Sequence, residues 1–327
     1  MRVEEWRRVF PSAPANGITT VAMWETLDTP TVTIAATQRF PGPAWDELAD
    51  VTVLTSWPPV EPLPGVDVLV EAVVTVGPDE LALLPDLRLV ANYGVGYDNV
   101  DLAACRERGI SVTNTPGALD AAVADLTLAL ILACRRLVVA SDRFVRERRW
   151  QRGWARPELL GHDLAGSTLG VIGFGRIGRQ VTKRAEAFEM HVILNTRRSG
   201  VPLDELLRAA DVVSLHAPLT PETHGLLSRE RLALLRDGAT FINTARGAIV
   251  DEDALVDELV TGRISAGLDV FTDEPRVPER LLDLPNVVLT PHVASATVET
   301  RAAMTRVLVD NVLAFVGDEP LLNEVSA

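Results

Sequence analysis

Residues 171–180 read VIGFGRIGRQ: the end of an apolar β-rich run, then Gly173-x-Gly175-x-x-Gly178, then the start of a helical pattern. Gly173 suits a tight turn off a strand, Gly175 leaves room for a pyrophosphate against the backbone, and Gly178 lets helix and strand pack closely. The helix start presents unpaired N–H groups and the positive end of the helix dipole. The segment therefore reads as a dinucleotide site in a parallel α/β sheet. The alternative is a glycine turn that binds nothing.

The rest of the chain supports that fold class. From Val32, the runs TVTIAAT, VTVLT, DVLVEAVV, LRLVANYG and SVTNTPG are strand-like, and AWDELAD, DELALLPD and VDLAACRERG between them are helix-like. After Gly166 a second alternation begins, with STLGVIGFG, MHVILNT, ADVVSLHAP, GATFINTAR, SAGLDVF and NVVLTPH as six strand candidates. Alternating β and α elements specify parallel sheets, and six strands with short connections fit a doubly wound one. Residues 120–150 form a long helical pattern that ends in the basic FVRERRWQRGW, whose arginines read as a solvated face. The last helix pattern, VETRAAMTRVLVDNVLAFV, comes too late for the second sheet and is expected to cross back to the first.

About twenty residues after the glycine loop, a dinucleotide site usually carries an acid for the adenosine ribose. Here the strand runs into Asn195-Thr196-Arg197-Arg198. A hydroxyl and two guanidinium groups suit a 2′-phosphate, so NADP(H) is expected over NAD(H). The alternative has one or both arginines on the adenine face or in solvent while NAD(H) binds.

Three other strand candidates of the second set end in ionisable groups. FINTARG stops at Arg246, GLDVFTDEP carries Asp269 and then Glu274, and VVLTPHVAS stops at His292. Ligands of open α/β sheets bind beyond the carboxyl ends of the strands, so these groups gather near the expected nicotinamide. An imidazolium can protonate a carbonyl oxygen as hydride reaches carbon, a carboxylate favours that imidazolium, and an Arg can clamp a substrate carboxylate. The competing reading makes Glu274 and Arg246 loop-end salt-bridge residues. His162, His191 and His224 have weaker claims, and His216 suits a packed, hydrogen-bonded imidazole.

Composition excludes several classes. The 327 residues carry a net charge of −14 and no long basic run, which argues against nucleic acid or an anionic membrane as partner. The longest apolar run, LTLALILAC, is too short to span a bilayer. Cys105 and Cys134 make neither a metal spacing nor a disulfide framework, so a reducing cytoplasm is expected. Residues 1–31 lack the apolar core of a signal peptide and read as an irregular extension, with Met23 as an alternative start.

The stretches NYGVGYDNVD, VTNTPGALDAAVADLTLAL, GHDLAGSTLGVIGFGRIGR, NTARGAIVDEDAL, AGLDVFTDEP and LPNVVLTPHVASAT resemble the D-isomer-specific 2-hydroxyacid dehydrogenases over nearly the whole chain from Val32. The order Arg246, Glu274, His292 has the family's spacing. The resemblance implies His292 as acid/base, Glu274 as its partner, Arg246 as the substrate-orienting residue, and Val95 and Gly96 as the loop whose N–H groups hold the substrate carboxylate. For the cofactor it implies Gly173, Gly175, Arg176, Ile177, Gly178, Thr196, Arg197, Arg198, Pro218, Thr244, Ala245, Asp269 and Ala294, with Asp269 at the nicotinamide carboxamide.

It also implies the architecture: two doubly wound parallel-sheet domains, a Rossmann cofactor domain (117–296) inserted into a flavodoxin-like substrate domain (32–116 and 297–327). Helix 120–136 and the segment after it resemble a dimerisation region, so a homodimer is expected. Within the family, RGWARPELLGHDLAGSTLGVIGFGRIG and DEPRVPERLLDLPNVVLTPH resemble the glyoxylate/hydroxypyruvate reductases most. A phosphoglycerate dehydrogenase of the short kind and a cofactor-sensing co-repressor are the alternatives. The lack of a C-terminal regulatory extension argues against the longer phosphoglycerate enzymes. Two departures stand out. Ala294 replaces a frequent Gly, which is expected to tighten the site, and the short RRSGVPLDELL connection implies a trimmed third strand. The loops around Trp57–Pro59 and Thr75–Pro78 are expected to set substrate size.

Overall fold

The computed structural model describes residues 32–151, 153, 157–197 and 199–325; the irregular extension expected at 1–31 lies outside the described residues. Five strands come first: β1 (Ile34–Ala36), β2 (Val51–Val53), β3 (Val68–Glu71), β4 (Leu89–Asn92) and β5 (Ser111–Thr113). Helix α1 (Pro78–Ala82) joins β3 to β4, and α2 (Leu102–Glu107) joins β4 to β5. The sheet order is β2-β1-β3-β4-β5, all parallel. β3 and β4 are buried along their whole length, as strands covered on both faces must be. AWDELAD yields only a 3-10 turn, Pro43–Glu47. Between β2 and β3 no helix forms, in keeping with prolines at 58, 59, 62 and 64 that supply no backbone donor.

The long helical pattern at 120–150 divides into α3 (Asp120–Arg135) and α4 (Val138–Arg146), with Leu137 between them in the left-handed region at φ 53°. Arg143, Arg146, Arg148 and Arg149 are exposed, as a solvated face requires.

The second sheet follows: β6 (Thr168–Ile172), α5 (Arg176–Ala187), β7 (His191–Asn195), α6 (Leu203–Ala209), β8 (Val212–Leu215), α7 (Arg229–Leu232), β9 (Thr240–Asn243), α8 (Glu252–Val260), β10 (Ser265–Leu268), α9 (Glu279–Leu282) and β11 (Val287–Leu289). Its order is β11-β10-β9-β8-β6-β7, again all parallel. From β7 the chain passes through α6 directly to β8, which lies beside β6. Among the described residues no strand lies outside β7, in line with the short RRSGVPLDELL connection. Both sheets reverse their winding next to their first strand, at β1/β3 and at β6/β8. Ligand crevices open at such switch points.

Helix α3 belongs to both cores. Leu119, which precedes it, and Val123 join the apolar cluster of the first sheet, while Leu130, Ile131 and Cys134 join that of the second. Gly267 in β10 permits the second contact, since a Cβ there would stand 2.9 Å from Leu130 Cβ and 3.0 Å from Ile242 Cδ1. The last helix, α10 (Val298–Val316), returns to the first sheet as expected. Tyr93 Oη donates to Arg301 O at 2.8 Å, and Thr305 Oγ1 donates to Pro41 O. Met304, Leu308, Val309 and Val312 pack against β1, β3 and β4 residues. Buried Asn311 of α10 holds the segment that follows the helix. Its Oδ1 accepts from Leu322 N and Asn323 N, and Val325 N then donates to Val112 O of β5 at 2.8 Å. No helix among the described residues is long and apolar enough to cross a membrane.

Leu308 is 2% exposed within this cluster. Leu308→Ala should cost about 2–5 kcal/mol, read as a lower urea midpoint at unchanged m-value. A loss under half a kilocalorie would mean that α10 does not seal the first sheet.

Candidate active site

The glycine loop occupies the β6/β8 switch point. Gly173 has φ +92°, and a Cβ on it would meet His216 O at 2.6 Å and Ala217 N at 2.7 Å, backbone of the β8 end. A Cβ on Gly178 would lie 2.3 Å from Gly173 O, so the third glycine is fixed by the helix–loop approach. Around Gly175 nothing lies within 4 Å of the Cβ position, and no side chain caps α5 there. Open space above unpaired helix N–H groups fits a pyrophosphate. Arg176 is exposed in the first turn, and Ile177 packs between the two sheets' apolar clusters.

At the end of β7, Thr196 and Ser199 meet. Thr196 Oγ1 donates to Ser199 O at 2.6 Å and accepts from Ser199 N at 2.9 Å, so the hydroxyl closes a turn instead of standing free. Arg197 is exposed and 3.7 Å from the Glu222 carboxylate, a partner that local spacing gave no reason to anticipate. Arg198 lies outside the described residues. Pro218 is exposed at the β8 exit, with its carbonyl accepting from Thr223 Oγ1 at 2.6 Å.

Across the crevice, the 93–99 loop after β4 is pinned by its carbonyls. Gly94 O accepts from Thr115 N (2.8 Å), Val95 O from Asn114 Nδ2 (2.9 Å), and Gly96 O from Asn92 Nδ2 (2.8 Å). In a planar trans peptide the N–H points opposite to the C=O. The N–H groups of Val95 and Gly96 therefore point away from Thr115 N and Asn114 Nδ2, the donors that hold those carbonyls.

Arg246, three residues past β9, reaches this loop. Its Nε donates to both oxygens of Asp98 (3.0 and 3.1 Å), its Nη1 donates to Ala245 O, and Asn243 Nδ2 holds its own carbonyl. A Cβ on Gly96 would stand 1.9 Å from Nη2, so a side chain there would displace the guanidinium from its present place. Ala245 N donates to Asn243 Oδ1, and buried Thr244 shares a hydroxyl contact with Thr127 of α3.

The next two strands supply the carboxylate and imidazole. His292, at φ +51°, places Nδ1 2.6 Å from Glu274 Oε2, while Glu274 Oε1 accepts from Phe271 N at 3.0 Å. Burial pushes the Glu274 carboxyl up, but the bonds from His292 and Phe271 N, with the charges of His292 and Arg246, outweigh it. Glu274 is held below the usual carboxylate range and stays an anion at neutral pH.

Asp269, expected at the nicotinamide, is fully buried. Its Oδ1 accepts from Thr290 Oγ1 (2.6 Å) and Val293 N (2.9 Å), its Oδ2 from Ala294 N (2.9 Å), and its carbonyl from His292 N (2.8 Å). In this structure it holds the turn that carries His292. Ala294 is buried against the first-sheet cluster. His216 is the packed imidazole anticipated for it: Nε2 lies 2.8 Å from Ser214 Oγ, and burial pushes its pKa down to about 4, so it is neutral. The loops expected to set substrate size are tied together by Trp57 Nε1 donating to Thr75 O at 2.8 Å.

Sequence reasoning singled out neither Asp98 nor the Asn92, Asn114 and Asn243 scaffold. The one signal was their position, each within or just beyond a β-rich run.

The chain matches the family model described as "D-isomer specific 2-hydroxyacid dehydrogenase, NAD binding domain" over residues 128–294. A glyoxylate reductase of Thermococcus litoralis is 44% identical over 270 residues, which cover 76% of this chain and 82% of the relative. Among solved structures, the TT0316 protein of Thermus thermophilus superposes with TM-score 0.84 at 45% identity, covering 90% of this chain and 100% of that one. An NADPH-dependent glyoxylate/hydroxypyruvate reductase of Sinorhizobium meliloti, solved with NADP and malonate, gives TM-score 0.80 at 36% identity, covering 90% and 97%.

Gly178→Ala sets a methyl against a backbone oxygen that cannot move aside. It should weaken NAD(P)H binding more than about tenfold by fluorescence titration, with the circular dichroism of the folded chain kept. An unchanged Kd would remove the loop from the cofactor site.

Proposed function

The chain belongs to the D-isomer specific 2-hydroxyacid dehydrogenase family and is an oxidoreductase acting on CH–OH donors; we propose that it reduces small 2-oxo acids, glyoxylate and hydroxypyruvate first, with NADPH preferred to NADH. One observation carries the reading. An imidazole bonded to an anionic carboxylate and a guanidinium bonded to Asp98 stand at neighbouring strand ends.

The substrate carboxylate sits on the N–H groups of Val95 and Gly96 and on Arg246 Nη2, charge-assisted contacts that orient the 2-oxo group. His292 gives its proton to the carbonyl oxygen from Nε2, the nitrogen not bonded to Glu274. Glu274 stabilises the imidazolium and fixes the ring before transfer. Gly173, Gly175, Arg176, Ile177 and Gly178 would hold the dinucleotide with Pro218, Thr244, Ala245, Asp269 and Ala294, and a bound nicotinamide supplies the hydride. Residues 32–116 with 297–327 then act as substrate domain, and 117–296 as cofactor domain.

The NADPH preference rests on the absence of an acid at Asn195-Thr196 and on the exposure of Arg197. The Arg197–Glu222 pair is solvent-exposed and weak enough for a 2′-phosphate to displace. A homodimer through α4 is supported by exposed Val138, Val139 and Val145 on that helix, with Trp150 and Leu160 beyond it. Cys105 and Cys134 are buried free thiols pushed up to about 11 and about 12, which suits a reducing cytoplasm.

Initial rates on glyoxylate and hydroxypyruvate with NADPH and NADH test the proposal. NADPH should lead in kcat/KM by about tenfold or more, about 1.4 kcal/mol. A ratio near one removes the phosphate-reading role of Arg197, and no turnover with either cofactor removes the substrate assignment. His292→Ala should lower kcat by about a hundredfold or more with cofactor binding intact. Glu274→Gln should lower kcat by about tenfold or more with cofactor binding intact, because the carboxylate that holds the His292 ring is gone. An unchanged kcat would make Glu274 a structural residue only.

A further inference from the structure

Glu71 ends β3 and is fully buried, yet the chemistry above gives it no task. Its Oε2 accepts from Asn99 Nδ2 at 3.0 Å, and the backbone of Val74 also bonds the carboxyl. Its Oε1 is buried with no hydrogen-bond partner. The contrast with Asp269 is direct: that buried carboxylate takes three donors, which an ionised group needs.

Among the described residues, no ionisable neighbour compensates a charge on Glu71. Beside it in sequence or in the sheet, Asp67 bonds Thr33 N and lies 3.9 Å from Arg88, Tyr93 turns to Arg301 O, Asp98 to Arg246, and Asp101 to Ala104 N at the start of α2. β1, on the other side of β3, carries no ionisable residue. Burial therefore dominates and pushes the Glu71 carboxyl up to about 7 against the bonds from Asn99 and Val74.

What Glu71 touches gives the group its meaning. Asn99 Nδ2 bridges Glu71 Oε2 and Val74 O, and so ties the 93–99 loop to the 72–76 segment. Asn99 follows Asp98, the residue that fixes Arg246, and shares its loop with Val95 and Gly96. Trp57 is tied to the same 72–76 segment through Thr75 O.

We propose that Glu71 is a positioning residue of the substrate loop, which works as the neutral acid and, on losing its proton, loosens the loop and weakens the hold on the substrate carboxylate. This rests on the reading that Val95, Gly96 and Arg246 take that carboxylate. The ionised form has no partner for its second oxygen and must admit water or a new donor. The segments free to give way are the two loops that Asn99 joins.

Glu71→Gln fixes the neutral form, since the amide keeps an acceptor toward Asn99 and cannot ionise. Three measurements on the full chain test the proposal: Tm against pH, oxalate binding by calorimetry, and glyoxylate KM and kcat. A raised folded-state pKa means stability is lost as pH climbs from the unfolded value of 4.5 through about 7. The wild-type Tm should therefore fall relative to Glu71→Gln across that window and run parallel above it. Between about pH 6 and about pH 8.5, oxalate Kd and glyoxylate KM should rise about fivefold more in the wild type than in the variant, with kcat matched at the lower pH. Asn99→Ala should raise KM at both pH values with little change in kcat, and it carries the test if Glu71→Gln fails to fold. Parallel Tm curves, or equal pH dependence of oxalate Kd, would overturn the proposal. Normal Tm and oxalate behaviour without glyoxylate turnover would instead overturn the substrate assignment and leave Glu71 in its role.

Discussion

The forked bond between Arg246 and Asp98 is the constraint on which the rest of the site depends. It joins a loop of the second sheet to a loop of the first, and everything around it is arranged to let it form. Gly96 has no side chain because the guanidinium occupies that space, and Gly247 is glycine because a Cβ would stand 2.1 Å from the Phe271 backbone. The carbonyls of residues 94–96 are drawn into the scaffold by Asn92, Asn114 and Thr115, so the amides of Val95 and Gly96 point the other way. A cation held in this way has two Asp98 oxygens and one carbonyl as partners, so its orientation is fixed by the protein's own groups.

Three carboxylates, two of them fully buried, divide their work by how many donors each receives. Asp269 takes three and serves as a hub for a strained turn, with a non-glycine residue, His292, in the left-handed region. Glu274 takes two, one from the imidazole it steadies. Glu71 keeps one oxygen unpaired. In a chain of net charge −14, anions are placed where donors converge, and where the donors are too few the proton stays on.

Much of this was legible beforehand, for identifiable reasons. The central strands are buried along their length and so read as continuous apolar runs, the partly exposed edge strands still fall in β-rich runs, and the glycine loop carries its spacing and flanks together. Arg246, Glu274 and His292 stood out because strand ends are where such sheets bind ligands. The remainder depended on contacts distant in sequence. Local pattern carries no trace of the Arg197–Glu222 pair, of Asp98 opposite Arg246, or of the three donors that converge on Asp269. Periodicity continues unbroken through Leu137, where only the backbone angle ends α3. Strand neighbours in the second sheet follow from the direct return through α6, which alternation alone leaves undetermined.

The segment held by Asn311 has a consequence for the sheet it touches. β5 is the outermost strand of the first sheet, and an outermost strand offers a row of unpaired amides and carbonyls to any extended chain that meets it. Here that row is met by the protein's own tail, which runs antiparallel, with Glu324 opposite Thr113, Asn114 N bonded to Asn323 O, and Ser111 Oγ bonded to the Glu324 carboxylate. Residues 323–325 thus cover the edge at which strand addition would otherwise take place. A chain cut before Asn323 would keep every group of the site and lose that cover.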